Sequence, residues 1–316
     1  MIITCDKCNT RYNLDDTLIK DKPVIKVRCY KCDNRFKIHR KTTAVEDVPL
    51  RNIVKPCLDN TIAISNQKGG VAKTTTCMNL GVALSLMEKK VLLVDFDAQA
   101  NLTIALDYPS TTSSFFDILR SGTDDLSKNI IETKYPNLSL LPSNSRMALL
   151  TKLYMHKPDF EYLLRDKLSS VGDCFDYIII DTPPALGFST FNALMASNYV
   201  IIPTPCEYLS MHGIHKIEDI IKIVQARSGR HIDYKILITM HDSGSTASRV
   251  IYQKIISMFG DKVFDTVIDQ DQKMQESQIV HLPVIHYDKQ STSAQQYVRL
   301  AREIIDLKSS TGPENY

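Results

Sequence analysis

A glycine-rich loop stands where an apolar segment gives way to a helix-forming run. The loop reads Lys68-Gly69-Gly70-Val71-Ala72-Lys73-Thr74-Thr75 and follows the apolar residues 62–64. Glycines allow backbone N–H groups to converge on an anion, and the helix that follows directs its positive dipole end to the same point. A lysine at position 73 can reach the outer phosphates of a nucleotide, and the Thr74 hydroxyl can ligate Mg²⁺. The loop therefore predicts a nucleoside triphosphate site.

Two buried-strand patterns further along the chain end in carboxylates. Residues 91–94 precede Asp95 and Asp97, and residues 177–180 precede Asp181. The carboxyl ends of parallel strands lie at the crevice where open α/β sheets bind ligands. Taken alone, the carboxylates of either segment could simply cap the next helix. Together with the loop, both segments are expected at the nucleotide site.

In this order, the three segments resemble the deviant Walker A loop, the DxDPQ segment and the Walker B segment of the ParA/MinD family. The chain departs from an ordinary phosphate loop at Gln67 and Ala72, which stand at two glycine positions, and Ala98 replaces the proline of DxDPQ. The resemblance covers residues 61–308. Gln67 and the pair Glu207-Tyr208 make the chain more similar to ParA than to MinD.

This resemblance implies an ATPase that alternates between a monomer and an ATP-bound sandwich homodimer in order to segregate or position a cargo. Hydrolysis would be slow and stimulated by a ParB-like or other activating protein. Lys68 would reach the partner's phosphates, Asp97 would orient the attacking water, and Asp181 would hold magnesium through water. The predicted catalytic residues are Lys68, Lys73 and Asp97, and the predicted contacts of ATP and Mg²⁺ are Lys68, Gly69, Gly70, Val71, Ala72, Lys73, Thr74, Thr75 and Asp181.

The backbone conformation at Ala72 decides how well an alanine fits this position of the loop. A left-handed conformation would cost an alanine roughly 1–2 kcal/mol, whereas a right-handed one costs almost nothing. We expect the right-handed conformation, because the predicted helix begins at the next residue.

Four cysteines near the start of the chain form two CxxC pairs. They are Cys5, Cys8, Cys29 and Cys32. This spacing is typical of a structural zinc site, although unrelated or disulfide-bonded cysteines would be the alternative. Together with Tyr12 and Phe36, the pairs make residues 1–38 similar to a small zinc-ribbon family. About forty residues bury too little core to fold alone, so Zn²⁺ is expected to supply much of the folding energy.

The elements that must position these residues alternate between strand and helix, which predicts an α/β fold with a doubly wound, mostly parallel sheet beside the small zinc ribbon. We expect a ribbon at 1–40, a linker at 41–60, an ATPase domain at 61–308 and a polar tail at 309–316. Strands are predicted at 62–66, 91–95, 138–141, 177–181, 199–203 and 234–239, with short strands near 263–268 and 284–287. Helices are predicted at 73–87, between 113 and 169, and at 189–196, 210–227, 246–259 and 292–308.

Composition fits a buried core and places the positive charge at one end of the chain. The 316 residues are 43% hydrophobic, and no apolar run is long enough to span a bilayer. The first residues do not resemble a leader peptide, so a cytoplasmic location is expected. Residues 1–41 contain eleven Lys and Arg and five Asp, a formal charge of +6, whereas the remainder has a formal charge of −4.

This charge distribution bears on nucleic-acid binding, which depends on basic groups that meet phosphates. DNA-binding ParA proteins have a proline-arginine-asparagine stretch where this chain has Asp269, Gln270 and Asp271. We therefore expect any nucleic-acid contact through the ribbon more than through the ATPase surface. The ribbon residues concerned are Lys26, Arg28, Lys31, Arg35 and Lys37, and a replacement patch on the ATPase would use Arg249, Lys254 and Lys262.

Other readings remain open at this point. The apolar stripe of the helix at 292–308 could lie on a membrane, but a core helix is the preferred interpretation and no membrane partner is expected. A metal-trafficking or iron–sulfur carrier ATPase would use its CxxC pairs for a labile metal. A regulatory adaptor would bind nucleic acid through the ribbon and keep a purely structural nucleotide site.

Overall fold

The computed structural model describes residues 2–13, 24–39, 58–110, 113–123 and 125–310. The chain divides into two compact units, Met1–Ile53 and Val54–Tyr316. Most of the predicted linker, residues 41–57, and the tail residues 311–316 lie outside the described residues. The proposed domain boundaries therefore stay predictions.

The described residues of the first unit form two antiparallel hairpins. Strand β1 (Ile2–Thr4) pairs with β2 (Arg11–Asn13), and β3 (Val24–Arg28) pairs with β4 (Arg35–His39). The turn of each hairpin contains one CxxC pair. Each turn also contains a left-handed residue just after its second cysteine, at Asn9 (φ 55°) and Asp33 (φ 62°). Asn and Asp adopt this conformation more readily than other non-glycine residues, so the turns fit the local sequence.

The second unit alternates strands and helices along the chain. Its strands are β5 (Thr61–Ile64), β6 (Val91–Asp95), β7 (Ile131–Glu132), β8 (Leu138–Leu141), β9 (Tyr177–Asp181), β10 (Tyr199–Pro205) and β11 (Asp233–Thr239). Its helices are α1 (Lys73–Ser85), α2 (Asn101–Ala105), α3 (Phe115–Ser121), α4 (Ala148–Tyr154), α5 (Leu163–Leu168), α6 (Phe188–Ala196), α7 (Ser210–Ser228), α8 (Thr246–Phe259), α9 (Gln272–Ile279), α10 (Val284–Tyr287) and α11 (Thr292–Ser310).

Within the described residues the sheet has the order β11-β10-β5-β9-β6-β8-β7. Its strands are parallel except for the edge strand β7, which runs antiparallel to β8. Strand β5 lies between β10 and β9, so the connections leave it in both directions. Helices cover both faces, and each face has its own apolar core. The predicted doubly wound, mostly parallel sheet is confirmed.

The last helix is part of the core. Tyr297, Leu300, Ala301 and Ile304 on α11 are buried within the same apolar cluster as α1. The apolar stripe read from the sequence is therefore a packing face. No helix among the described residues is long and apolar enough to cross a membrane.

Two predicted strands are wrong. Residues 263–268 form no strand and make a single isolated bridge with β11, Val263 with Ile236, because Asp265 N and Thr266 N donate to the Glu303 carboxylate (2.9 and 3.1 Å) rather than to a neighbouring strand. Residues 284–287 form the short helix α10, which begins after Pro283 and whose Val284 N–H donates to Asn79 Oδ1.

Candidate functional site

The phosphate loop begins at the carboxyl end of β5 and is held there by Asn66. Asn66 Nδ2 donates to Pro203 O in β10 (2.8 Å), and Asn66 Oδ1 accepts from Lys68 N (3.0 Å). At the other end of the loop, Thr239 Oγ1 in β11 donates to Val71 O (3.2 Å). One anchor belongs to β10, which pairs with β5, and the other to β11, the strand beyond β10, so the sheet fixes both ends of the loop. The sequence analysis missed Asn66, because no motif marks an anchoring amide.

The middle of the loop requires unusual backbone conformations. Gly70 has φ 72°, and an added Cβ at Gly69 or Gly70 would meet no atom within 4 Å, so an open cradle faces these glycines. Ala72 has φ 69° and ψ 31°, which is left-handed, so the predicted right-handed conformation is wrong. Ala72 is the N-cap of α1, and an N-cap residue need not be helical. Its carbonyl nevertheless accepts the first helical bond from Thr76 N (2.9 Å).

The two lysines of the loop have different environments. Lys73 is buried, and its Nζ donates to Lys68 O (2.9 Å), so its ammonium group lies against the loop backbone. Burial lowers the pKa of Lys73, while the charges of Asp181 and Asp97 oppose that shift. The Lys68 side chain is 35% exposed and forms an ion pair with Glu207, which follows β10. The side chain of Lys73 therefore binds the loop of its own chain, whereas the side chain of Lys68 is directed to Glu207.

Two carboxylates from neighbouring strands face each other beside the loop. Asp95 at the end of β6 and Asp181 at the end of β9 are register partners. Thr74 Oγ1 donates to Asp181 Oδ2 (2.7 Å), which joins the first turn of α1 to this pair. Burial, reinforced by the charge of Asp95, raises the pKa of Asp181 well above its usual value, and burial raises the pKa of Asp95 to about 6.

These residues fit a magnesium nucleotide. Asp181 Oδ1 is buried and has no hydrogen-bond partner among the described residues, so a water bound to a cation could donate to it. A hydroxyl and a carboxylate oxygen are the hard ligands that Mg²⁺ prefers. A cation here would also offset the repulsion between Asp95 and Asp181. Thr74 and Asp181 are thus the residues that would hold magnesium.

Asp97 is held by a polar network. Asp95 Oδ1 accepts from Asp97 N (3.2 Å), and Asp95 Oδ2 accepts from Thr103 N (2.8 Å) and Thr103 Oγ1 (2.7 Å). Ser143 Oγ donates to Asp97 O (2.5 Å), and Ser143 N donates to Thr103 Oγ1. Thr103 and Ser143 were not expected from the sequence. The network fixes the backbone of Asp97 from two sides.

The four cysteines of the first unit come together as the sequence predicts. Their sulfur atoms all lie within 4.8 Å of one another, with Cys5 Sγ 3.6 Å from Cys32 Sγ and Cys8 Sγ 3.5 Å from Cys29 Sγ. A tetrahedron with metal–sulfur bonds of about 2.3 Å has sulfur–sulfur separations of about 3.8 Å. The close pairs cross between the two turns, so the geometry fits one tetrahedral ion.

The environment of Cys29 favours a thiolate. Burial opposes its ionisation, but the hydrogen bond with Tyr12 Oη (2.7 Å) and backbone N–H groups of Cys32 and Lys31 lower the pKa of Cys29 to about 6. A thiolate is the form in which cysteine binds metal.

The acidic residues expected to weaken DNA binding have structural partners. Asp269 accepts from Gln296 Nε2 (2.6 Å), and its backbone N–H donates to Gln296 Oε1 (2.9 Å). Asp271 caps α9 through Lys273 N (2.8 Å) and accepts from Ser293 N and Ser293 Oγ (2.9 and 2.7 Å). Both carboxylates therefore tie the segment before α9 to α11.

Comparison with known proteins agrees with both sites. A family model described as an AAA domain matches residues 59–234, and one described as a zinc-ribbon domain matches residues 1–37. The chromosome-partitioning ATPase Soj of Treponema pallidum is 36% identical over 249 residues, which is 78% of this chain and 98% of that protein. The sporulation initiation inhibitor protein Soj of Bacillus subtilis is 36% identical over 247 residues, which is 77% of this chain and 97% of that protein.

A solved structure shares the architecture of the second unit. The crystal structure of cobyrinic acid a,c-diamide synthase from Mycobacterium smegmatis with a bound ATP analog and magnesium has a TM-score of 0.70 and 29% identity, covering 82% of this chain and 99% of that one. This chain accordingly belongs to the ParA/MinD-like family of P-loop ATPases, with relatives named Soj, and carries a zinc-ribbon domain before its ATPase unit.

Proposed function

We propose that the protein is a partitioning ATPase that alternates between a monomer and an ATP-bound sandwich dimer in order to segregate or position a cargo in the cytoplasm. Its hydrolysis would be slow and accelerated by a ParB-like or other activating protein. The relatives named as chromosome-partitioning proteins support the general role.

The observation that carries the proposal is the separation of the two loop lysines. Lys73 lies against its own loop, whereas the partly exposed Lys68 pairs with the exposed Glu207. An exposed lysine at the rim of a phosphate site can reach the phosphates of a second chain, because its ion pair with a solvent-exposed carboxylate contributes little stability. We assign Lys68 this role in the partner's site.

The remaining site residues have distinct roles in this proposal. Gly69 to Thr75 surround the phosphates with backbone N–H groups, and Lys73 neutralises their charge. Thr74 and Asp181 would hold magnesium, which would supply charge stabilisation to the phosphoryl group. Asp97 orients the attacking water, and its network with Asp95, Thr103 and Ser143 maintains that position.

The ribbon has a separate role as a docking module organised by one zinc ion. Its four converging sulfur atoms support this assignment. The carrier alternative has less support, because carrier ATPases of this superfamily place their cluster cysteines within or near the ATPase dimer interface. In the ATPase unit Cys174 is exposed, Cys206 is buried, and neither joins a group of three or more potential metal ligands in the part of the chain that the structure describes.

Light scattering of the full chain with Mg-ATP tests the dimer. The wild type is expected to double in mass, Lys73→Ala to lose ATP binding, and Lys68→Ala to bind ATP but remain monomeric. Lys90→Ala is the matched control. Lys90 is exposed and lies just before the amino end of β6, whereas the loop lies at the carboxyl ends of the strands. A normal ATP-dependent dimer of Lys68→Ala would contradict the proposed role.

Steady-state ATP hydrolysis tests Asp97. Asp97→Ala is expected to retain ATP binding and the dimer but to lose turnover by on the order of 100-fold, because a positioned charge contributes that much to a transition state. Unchanged turnover would remove Asp97 from the catalytic residues.

A further inference from the structure

The second hairpin of the ribbon has one face formed by basic side chains. Its register places Lys26 opposite Lys37, Val27 opposite Phe36, and Arg28 opposite Arg35. Side chains alternate between the two faces of a strand pair, so the four basic residues share one face and the two apolar residues share the other. We call the four residues Lys26, Arg28, Arg35 and Lys37 the basic face.

Each side chain of the basic face is exposed. Arg28 forms a bidentate pair with Asp33, with both nitrogen–oxygen distances at 2.7 Å, and that pair is itself exposed. No carboxylate pairs with Lys26, Arg35 or Lys37 among the residues that the structure describes. Three of the four cations are therefore exposed and have no counterion within the described part of the chain.

This arrangement does not serve the fold of the hairpin. Opposed residues in an antiparallel pair have Cβ atoms about 5 Å apart, and like charges there are destabilising. Two successive like-charge pairs occur in a unit too small to bury much core. A charge pattern that opposes folding in such a unit indicates an anionic ligand.

An exposed aromatic ring lies in the turn that joins the same two strands. Tyr30 follows Cys29 and is 82% exposed. Its ring contacts Tyr12 edge to face, with centroids 5.2 Å apart and planes at 89°, and the Tyr12 hydroxyl lies 2.7 Å from Cys29 Sγ. The cysteine cluster therefore fixes the ring while a large part of its surface remains open.

We propose that the basic face binds the phosphates of a nucleic acid and that Tyr30 stacks on an unpaired base. Basic side chains beside an exposed aromatic ring are the combination that single-stranded nucleic acid requires, since every base offers a stacking surface. A phosphate-rich membrane would use the charge but not the ring. The charge of the ribbon, opposite in sign to that of the rest of the chain, directs the ligand to this unit. The inference does not rest on the ATPase cycle.

Fluorescence anisotropy of the full zinc-loaded chain tests the site, with labelled oligo-dT of about 16 nucleotides and a duplex of equal length as probes. If four cations meet phosphates, oligo-dT affinity falls about 50-fold between about 50 and 200 mM salt, and the double variant Lys26→Gln/Lys37→Gln reduces this fall to about sevenfold. Lys7→Gln/Arg11→Gln removes equal charge from the first hairpin and is expected to retain the wild-type salt dependence.

Tyr30 variants test the stacking contact. Tyr30→Ala is expected to weaken oligo-dT binding about tenfold without a matching effect on the duplex, and Tyr30→Phe is expected to restore it. Zinc content, measured for every variant, must remain that of the wild type. The proposal is overturned if neither probe binds, if the two double variants have the same salt dependence, if Tyr30→Ala binds oligo-dT normally, or if phosphatidylserine vesicles bind in place of oligo-dT.

Discussion

The ribbon and the ATPase unit are stabilised by different interactions. Among the ribbon side chains whose burial the structure describes, those of Cys5 and Cys29 are buried, whereas the ATPase unit has a large apolar core on each face of its sheet. Burial of apolar surface can stabilise the second unit but has little to act on in the first. The difference indicates that the cysteine cluster takes the place of a core in the ribbon.

The two regions also differ in how they tolerate left-handed backbone. The ribbon uses Asn9 and Asp33, residues that accept this conformation, whereas the ATPase unit has alanine at Ala72 and Ala100, with φ 69° and 53°. A Cβ in this conformation costs roughly 1–2 kcal/mol. A well-packed unit can retain such strain next to its site, while a unit without a core has little stability to oppose it.

Zinc removal should separate the two units most clearly. Cys29→Ser, or chelation of the wild type, is expected to unfold the ribbon, because structural zinc contributes about 10–16 kcal/mol in small domains. ATP binding should remain, since the second unit has its own core. Metal analysis, ribbon proton spectra and nucleotide affinity measure the two effects. Loss of ATP binding together with zinc would contradict the separation.

A core substitution should produce the opposite pattern. Leu84→Ala in α1 removes a fully buried side chain and is expected to lower the unfolding free energy of the ATPase unit by about 2–5 kcal/mol. Leu86→Ala is the control, because Leu86 is 52% exposed and should change stability by less than about 0.5 kcal/mol. Urea unfolding measures both variants. Zinc content should remain unchanged, and its loss would show that the ribbon depends on this core.

Glycine at the strained alanine positions should stabilise the ATPase unit slightly. Ala72→Gly removes a Cβ from a left-handed residue, which raises the unfolding free energy by about 1–2 kcal/mol. The glycine also makes the unfolded chain more flexible, which lowers the unfolding free energy by about 0.4–1 kcal/mol. The expected net gain is about 1 kcal/mol in urea unfolding. Ala100→Gly should behave alike, as a second left-handed alanine. A loss of stability in both variants would mean that these residues are not left-handed in solution.

The smallest effect is expected from the exposed ion pair between Lys68 and Glu207. Glu207→Gln should change the unfolding free energy by less than about 1 kcal/mol, since exposed pairs are well solvated. Urea unfolding measures this change. A larger loss would show that the pair stabilises the unit in the way that the cysteine cluster is expected to stabilise the ribbon.

The sequence predicted the parts of the molecule in which chemistry restricts residue choice. Asp95 and Asp181 end strands that the apolar runs mark clearly, the glycine pair and Lys73 lie between β5 and the first turn of α1, and the four cysteines converge as their spacing requires. The central strands follow from continuous apolar runs, because a parallel strand is buried on both faces.

The sequence could not predict what depends on distant partners. Asn66 acts through a carbonyl of β10, 137 residues away, and Ser143 acts through Asp97, 46 residues away. Residues 263–268 have a strand-like pattern, but Glu303 on α11 binds two of their N–H groups. The left-handed conformation of Ala72 likewise depends on the geometry of the junction between the loop and α1. Alanine does not favour this conformation, so the residue type does not predict it.

The ion pair of Lys68 with Glu207 has a consequence for assembly. In the proposed cycle, a second chain must compete with a carboxylate of the same molecule for this lysine. Competition of this kind raises the protein concentration at which dimers form, because the contact of Lys68 with the second chain must be more favourable than its contact with Glu207. Nucleotide phosphates carry several negative charges and can attract the lysine more strongly than one carboxylate does. A partner site without nucleotide offers no such attraction. The internal pair would thus suppress nucleotide-free dimers and make assembly conditional on ATP.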